Sequence, residues 1–469
     1  MGPEALAWVD WVAETGCRYW QMRPLGPTGD GDSPYQCFSA FAGNPYLISP
    51  DALVADGLAD PDDVPAFPLD RVDFGRVIPW KIGLLDEAHR RFVGGDAPHL
   101  RPLYEEFAED HRHWLADYAL FMAVKRHHGG GPFWEWPEEI RVRHPSAVRD
   151  AGDRLAVEID RQLFQQFVFH RQWSSVRRHA AERGVQLIGD APIFVASDSA
   201  DVWARPDLFK LDDDLHPTVV AGVPPDYFSP TGQLWGNPHY DWERHADDDY
   251  AWWVERLRSL LGLVDVVRLD HFRAFADAWE IPAGSETAEH GAWVLGPGRA
   301  VFDAAAAALG SLPIIAEDLG ELHEIVPQLR DDLGLPGMKI GLFGYGDQGE
   351  PPEAWPHWSV AYTGTHDNAT TREWLDGLDE AERARVSAAM GVETATSWSL
   401  VEKVWTSEAV LTVTTAQDLL DLGAEARMNL PGTLGPHNWT WRLASGAVDA
   451  ELATRLADLN RTSGRWHGV

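Results

Sequence analysis

The chain has 469 residues, 45% hydrophobic and 24% charged, which excludes a wholly disordered chain, a collagen and a coiled-coil rod. Its 39 basic and 73 acidic residues give a formal net charge of −34, which disfavours nucleic acid and anionic membrane surfaces as partners. No apolar run approaches the roughly 18–20 residues of a membrane span. The N-terminus does not resemble a secretory signal, and two cysteines are too few for a disulfide framework, so a cytoplasmic location is expected.

Short apolar runs alternate with helical stretches along the chain, a pattern typical of a parallel sheet. A helix is predicted over residues 3–13, and others over 250–261 and 298–309. The predicted strands lie at 17–25, 185–190, 263–270, 312–318, 337–343, 358–365 and 409–415. The spacing of the later strands favours an α/β fold, namely a TIM-type (β/α)8 barrel with helical and loop insertions. Only seven of eight strands can be found, so either the first strand is lacking or another has been overlooked.

Two insertions interrupt the barrel pattern and suggest a division of the chain. Residues 1–25 would begin the barrel, 26–184 would form a mostly helical inserted subdomain, and 185–469 would complete the catalytic barrel. Within the last part, residues 195–245 are rich in proline and glycine, which predicts a lid or binding loop with at most one hairpin. The 23 tryptophans are a weak indication of carbohydrate binding, because an indole ring stacks on a sugar while its N–H reaches a hydroxyl.

Carboxylates close at least four predicted strands, where a (β/α) barrel has its active-site face. These are Asp190, Asp270, the pair Glu317-Asp318, and Asp367. A single Asp in such a place is more often a helix N-cap. Arg268 and Asp270 share one face of their strand, because side chains two residues apart point the same way, and His366 precedes Asp367. Together these residues predict one pocket.

Paired carboxylates without a nucleotide motif favour glycosyl transfer, in which one carboxylate attacks the anomeric carbon and a carboxylic acid protonates the leaving oxygen. Arg268 is expected to lower the pKa of Asp270 and keep it anionic, whereas Glu317 needs a raised pKa to act as an acid. A divalent cation is the competing hypothesis, but the spacing matches neither a Ca²⁺ loop nor a His-x-x-x-His helix. Neither a metal nor a cofactor is expected.

At these residues the chain resembles the 4-alpha-glucanotransferases, also called amylomaltases or disproportionating enzymes, which are related to the alpha-amylases. The resemblance extends over residues 18–433, nearly the whole chain. It rests on RYWQMRPLGPTGDGDSPYQCFSAFAGNPYLI, LIGDAPIFVASDSADVW, GVPPDYFSPTGQLWGNPHYDW, VVRLDHFRAF, IIAEDLG, YTGTHDN and QDLLDLGAEARMNLPGT, in the family's order.

The resemblance implies roles for individual residues. Asp270 matches the family's nucleophile, Glu317 its acid/base, and Asp367 the third carboxylate, which binds ring hydroxyls and helps distort the sugar. The matches to supporting and glucan-contacting positions are Arg268, His366, Asp190, Tyr35, Gln233, Trp235 and Asn429. The loop 222–235 is similar to the family's lid over the acceptor site.

Two departures from the family pattern stand out. Family members begin with a strand and loop similar to LLHPTSLPGPYGIGDLG, ahead of the helix with which this sequence opens. We therefore expect either a barrel without its first strand or a start codon assigned too far downstream. The family also commonly has an aspartate where this chain has Ala369.

The expected activity is 4-alpha-glucanotransfer, with maltooligosaccharides and α-1,4-glucans as both donors and acceptors. Two alternatives remain open at this stage. One is an α-glucan hydrolase using the same site, and the other is an inactive glucan-binding, truncated homologue. Products formed from maltotriose distinguish them: longer and shorter oligomers indicate transfer, a net gain of reducing ends indicates hydrolysis, and no change indicates binding alone.

The charge of −34 predicts that salt stabilises the fold. Salt screens the self-repulsion, since the Debye length falls from about 10 Å at 0.1 M to about 3 Å at 1 M. We expect the melting temperature to rise with KCl concentration. A rise that continues to molar KCl indicates salt adaptation, whereas a plateau near a few tenths molar indicates ordinary screening of acidic residues retained for solubility. A melting temperature independent of salt would contradict the self-repulsion.

Overall fold

The structure is a computed structural model that describes residues 1–60, 64–225, 229–346 and 349–467. All seven predicted strands are present in these ranges, together with four others. The strands are β1 (Tyr19–Gln21), β2 (Gln186–Pro192), β3 (Val219–Val223), β4 (Gln233–Pro238), β5 (Val266–Asp270), β6 (Asp277–Pro282), β7 (Ala292–Leu295), β8 (Ile314–Ala316), β9 (Gly337–Ile340), β10 (Ser359–Tyr362) and β11 (Leu411–Val413).

Helices separate most of the strands, and the three predicted helices are confirmed within two residues at each end. The helices before β2 are α1 (Pro3–Glu14), α2 (Pro50–Ala55), α3 (Phe74–Gly94), α4 (Arg101–Asp110), α5 (Arg112–His127), α6 (Glu138–Arg141), α7 (Pro145–Arg154) and α8 (Ala156–Glu182). Those after it are α9 (Ala200–Ala204), α10 (Trp242–Asp247), α11 (Ala251–Leu263), α12 (Ala300–Leu309), α13 (Ile325–Asp332), α14 (Gly341–Gly344), α15 (Thr371–Gly377), α16 (Glu380–Met390), α17 (Ser397–Trp405), α18 (Ala416–Leu419) and α19 (Ala450–Thr462). In the described ranges, none is both long and apolar enough to cross a membrane.

The seven predicted strands are all parallel and follow chain order. One sheet has the order β1-β2-β5-β8 and a second has the order β9-β10-β11. A hydrogen bond from the Ala316 N–H to the Pro336 carbonyl joins the two at 3.0 Å. This arrangement confirms the predicted α/β fold with parallel strands. Strands buried on both faces explain the continuous apolar runs in the sequence, as in β8 and β10, where every residue is buried.

A separate antiparallel sheet has the order β4-β3-β6-β7. The predicted hairpin is its β3–β4 pair, within which residues 226–228 of the proposed lid loop lie outside the described residues. The sequence analysis missed β6 and β7, which pair with each other and extend the hairpin. We refer to these four strands as the lid sheet.

The 27-residue helix α8 anchors the loop that follows β1. The buried Gln166 amide exchanges two hydrogen bonds of 2.8 Å with the backbone of Gly43, so both backbone groups are satisfied away from water. A side chain at Gly43 would place its Cβ 2.1 Å from the Phe169 ring, so the loop approaches α8 more closely than any other residue would allow. This packing fixes the loop that carries Tyr35.

Candidate active site

The centre of the site is the buried guanidinium of Arg268, which joins two carboxylates. Asp190 and Arg268 are register partners in β2 and β5. Nη1 of Arg268 donates to Oδ1 of Asp190 at 2.7 Å and to Oδ1 of Asp270 at 2.9 Å. The side chains of Arg268 and Asp190 are 4% and 2% exposed, whereas that of Asp270 is 26% exposed. Asp270 is therefore the member of this trio that reaches the opening.

The pKa of Asp270 is raised well above its ordinary value, mainly by burial. The Arg268 guanidinium lowers that pKa, but the negative charges of Asp190, Glu317 and Asp367 raise it further. The expectation that Arg268 lowers the pKa of Asp270 is therefore correct for that one contact and wrong for the net result. The physical reason is burial of the Asp270 carboxyl, reinforced by the nearby carboxylates, which together outweigh the guanidinium that Asp270 shares with Asp190.

Glu317 follows β8, and both of its carboxylate oxygens accept backbone hydrogen bonds. The His271 N–H donates to Oε2 at 2.7 Å and the Leu319 N–H donates to Oε1 at 3.1 Å. Burial raises the pKa of Glu317 against the opposing influence of Arg268 and these two N–H groups. His271 has a φ of 51°, in the left-handed region, which aims its N–H at the carboxylate.

The neighbouring Asp318 is part of the framework of the fold. Its Oδ1 accepts a hydrogen bond of 2.7 Å from the Met338 N–H at β9, and its Oδ2 pairs with Arg330 of α13. Asp318 is 9% exposed. The structure thus separates the two adjacent acids, with Glu317 in the site and Asp318 behind it.

Tyr35 connects the Arg268 centre to β10. Its hydroxyl donates to Oδ2 of Asp190 at 2.5 Å and lies 3.5 Å from Nδ1 of His366. The Tyr35 ring stacks on the His366 ring, with centroids 5.0 Å apart and an interplanar angle of 15°. Trp439 packs against both rings, 5.6 Å from each. Burial raises the pKa of Tyr35 and lowers that of His366, which keeps both rings neutral.

Asp367 lies at the rim, with its side chain 41% exposed. Nδ2 of Asn429 donates to Oδ1 of Asp367 at 2.6 Å, and Nε2 of His366 is 3.3 Å from the same oxygen. Nη2 of Arg427 donates to the Asp367 carbonyl at 3.1 Å. The carboxylate is therefore held in orientation while remaining open to a ligand.

The lid sheet reaches the site through Trp235 of β4. The Trp235 ring meets the His271 ring edge to face, with centroids 4.8 Å apart at 85°. Nε1 of Trp235 donates to Oε1 of Gln233 at 3.1 Å, and Nε2 of Gln36 donates to the Trp235 carbonyl at 3.3 Å. An indole and an amide thus stand directly beside the residue that follows Asp270.

The ten residues singled out from the sequence fall into two groups of direct contacts. Seven are joined around Arg268 and Tyr35, namely Asp190, Arg268, Asp270, Tyr35, His366, Asp367 and Asn429. The other three, Gln233, Trp235 and Glu317, are joined through His271, which follows Asp270 in the chain. The sequence analysis missed His271, Trp439, Gln36 and Arg427 as members of this group. His271 contacts Glu317 through its backbone N–H, which is not specific to histidine, so no signal in the sequence pointed to that contact. In the described ranges, no cluster of three or more His, Cys, Asp or Glu is arranged to hold a metal ion.

The chain is similar to known proteins over nearly its whole length. The family profile described as 4-alpha-glucanotransferase matches residues 1–448. The 4-alpha-glucanotransferase of Thermus thermophilus is 46% identical over 97% of this chain and 93% of its own, and that of Synechocystis is 42% identical over 99% and 94%. Amylomaltase from Streptococcus agalactiae, solved in complex with acarbose, superimposes with a TM-score of 0.95 at 36% identity, covering 99% of this chain and 95% of its own.

The shared guanidinium predicts a shift in pH dependence on substitution of Asp190. In Asp190→Asn, Arg268 has one anionic partner left and a negative charge near Asp270 is gone, so the pKa of Asp270 should fall. Asp270 is expected to act as an anionic nucleophile, so the acidic limb of the kcat/KM profile should move to lower pH, whatever the loss in rate. An acidic limb that stays in place or moves upward would contradict the shared-charge account. Melting curves across the same pH range control for unfolding.

Proposed function

The chain belongs to the 4-alpha-glucanotransferase family, glycoside hydrolase family 77, and we propose that it moves α-1,4-glucan segments between maltooligosaccharides by a retaining double displacement at Asp270 and Glu317. The observation that carries this assignment is the pair of distinct environments. Asp270 is held by a guanidinium, whereas Glu317 is held by backbone N–H groups; burial raises the pKa of both carboxyl groups. Two carboxyl groups in different environments are the arrangement that acid and nucleophile require.

In the first step, Asp270 attacks the anomeric carbon of the donor glucan. Arg268 binds Oδ1, so we assign the attack to Oδ2. The bond from the anomeric carbon to the glycosidic oxygen breaks as Glu317 transfers its proton to that oxygen, and the shortened glucan leaves with a new 4-hydroxyl. The transition state resembles an oxocarbenium ion, and the carboxylates of Asp190 and Asp367 place negative charge around it.

In the second step, Glu317 acts as the base. The 4-hydroxyl of an acceptor glucan gives its proton to Glu317, and its oxygen attacks the anomeric carbon and displaces Asp270. Two inversions restore the α configuration, and both carboxyl groups return to their starting protonation states. No oxidant, reductant or cofactor enters this balance.

Transfer instead of hydrolysis requires that an acceptor reach the intermediate before water does. We assign this role to the loop 222–235 as a lid, on the basis of Trp235, which stands beside His271. We further propose glucan contacts for Gln233, Trp235 and Asn429, and for Tyr35 through its ring. The polar groups of Gln233, Trp235 and Asn429 already satisfy one another or Asp367, so they can exchange these bonds for sugar hydroxyls without large movements.

A place in cytoplasmic starch, glycogen or maltodextrin metabolism fits these assignments. Cys17 and Cys37 are both free thiols, as is usual in a reducing compartment. We infer that the substrates are soluble maltooligosaccharides and α-1,4-glucans.

Asp270→Asn should abolish disproportionation of maltotriose while leaving the fold intact. The covalent step has no substitute, so turnover should fall by several orders of magnitude, on the scale of about 10⁴-fold or more for loss of a catalytic group acting as a unit. The measurement is the time course of longer oligomers and glucose. Asp265→Asn is the matched control, because Asp265 sits at the opposite end of β5, where it accepts from the Leu187 N–H. Retention of more than a few per cent of activity in Asp270→Asn would rule out its role as nucleophile.

Glu317→Gln should lose more activity with a donor whose leaving group must be protonated than with a donor whose leaving group departs without a proton. With maltotriose, turnover should fall by roughly 10²- to 10⁴-fold, as expected for loss of a general acid. With α-glucosyl fluoride, which needs little protonation, the first release of fluoride should remain rapid, and the glycosyl-enzyme should accumulate. Glu321→Gln, an exposed carboxylate on the same loop, is the control. Equal losses with both donors would exclude Glu317 as the acid.

A further inference from the structure

Arg273 lies three residues after Asp270, in the 3-10 turn Phe272–Phe275, and its guanidinium connects three parts of the site. Nη1 donates to the Glu321 carbonyl at 2.7 Å. Nη2 and Nε donate to Oδ1 of Asp277, at the start of β6, at 2.8 and 3.2 Å. The same guanidinium stacks over the ring of Trp293 in β7, 3.9 Å from its centroid.

Together with other hydrogen bonds, these contacts hold the acid/base loop, residues 317–324, against the segment that follows Asp270. The His271 N–H donates to the Glu317 side chain, and the Phe272 N–H donates to the Glu317 carbonyl at 3.0 Å. At the far end of the loop, Nδ1 of His323 pairs with Oδ2 of Asp277. The loop is thus fixed near Glu317 by backbone groups and near Glu321 and His323 by the Arg273–Asp277 pair.

We propose that Arg273 is a positioning residue that sets the placement of the Glu317 carboxyl relative to Asp270 and ties it to the lid sheet. The inference rests on the roles assigned above to Asp270 and Glu317. A retaining enzyme needs its two carboxyl groups about 5–5.5 Å apart. An error of about 1 Å in such an arrangement can cost about 10²-fold in rate. Arg273 contacts the loop at the Glu321 carbonyl and would act on Glu317 through it.

The geometry explains why an arginine is needed at this position. Arg273 is 7% exposed, and its planar guanidinium donates to a carbonyl and a carboxylate at once while its flat face stacks on Trp293. A lysine ammonium is a single point donor that cannot keep all three contacts. Asp277 is 3% exposed, so its charge depends on Arg273 and His323 for compensation.

The test compares two donors in two variants. Arg273→Met keeps an unbranched apolar stem over Trp293 and removes every donor, and Arg273→Lys keeps the charge without the fork. We expect kcat with maltotriose to fall by about 10- to 100-fold in Arg273→Met, since the acid is misplaced. The first release of fluoride from α-glucosyl fluoride should fall by no more than about threefold, since that step needs little acid. With maltotriose, the kcat of Arg273→Lys should lie between those of Arg273→Met and the unmodified protein. With α-glucosyl fluoride, Arg273→Lys should release the first fluoride as fast as the unmodified protein.

A matched control separates positioning from stability. Arg143→Met removes another arginine that stacks on a tryptophan, 4.2 Å from the Trp203 ring, and pairs with Asp117. None of these three residues is among the site residues described above. The variant should lower the melting temperature without changing the ratio of the two donor rates. Equal losses with both donors in Arg273→Lys, the milder variant, would overturn the inference. If Glu317→Gln loses activity equally with maltotriose and α-glucosyl fluoride, the proposed role of Glu317 is wrong. That result does not depend on any Arg273 variant, so the two failures can be distinguished.

Discussion

A buried positive charge shared between two carboxylates organises this site. Nη1 of Arg268 contacts both Asp190 and Asp270, and the two partners differ in exposure, so one anchors the arginine and the other faces substrate. Burying a guanidinium costs free energy unless it is paired with an anion. The observed register of β2 and β5 places Asp190 opposite Arg268 and so provides that pair. The positions of Asp270, of Tyr35 and, through Tyr35, of His366 all depend on that register.

Burial and charge together set the electrostatics of the site. The carboxylates of Asp190, Asp270 and Asp367 outnumber the one guanidinium of Arg268. The pKa values of Asp270 and Glu317 are raised mainly by burial, and that of Asp270 is raised further by the nearby carboxylates. Such a pair titrates as a unit. The excess negative charge suits a reaction whose transition state carries positive charge on the sugar ring. Neutral Tyr35, His366 and Trp439 add shape and apolar surface beside this charge.

The sequence predicted the parallel strands well because strands buried on both faces read as unbroken apolar runs. It did not predict β6 and β7, since β6 mixes Asp277 and Glu280 with apolar residues and β7 has no buried residue. The carboxylates could be found at strand ends, but the sign of the pKa change at Asp270 could not. Arg268 is two residues away and visible, whereas the competing Asp190 is 78 residues from Arg268 in sequence. The division at residues 25 and 184 stays a prediction.

The account is tested most directly by locating the sugar on the enzyme during turnover. Glu317→Gln would be mixed with α-glucosyl fluoride, quenched in acid, digested and analysed by peptide mass spectrometry. The account predicts one added glucosyl group on the peptide that contains Asp270, with fragmentation placing it on that side chain and no addition in Asp270→Asn/Glu317→Gln. A glucosyl group on Asp190, Asp367 or any other residue would contradict it, as would inverted product configuration with no covalent adduct.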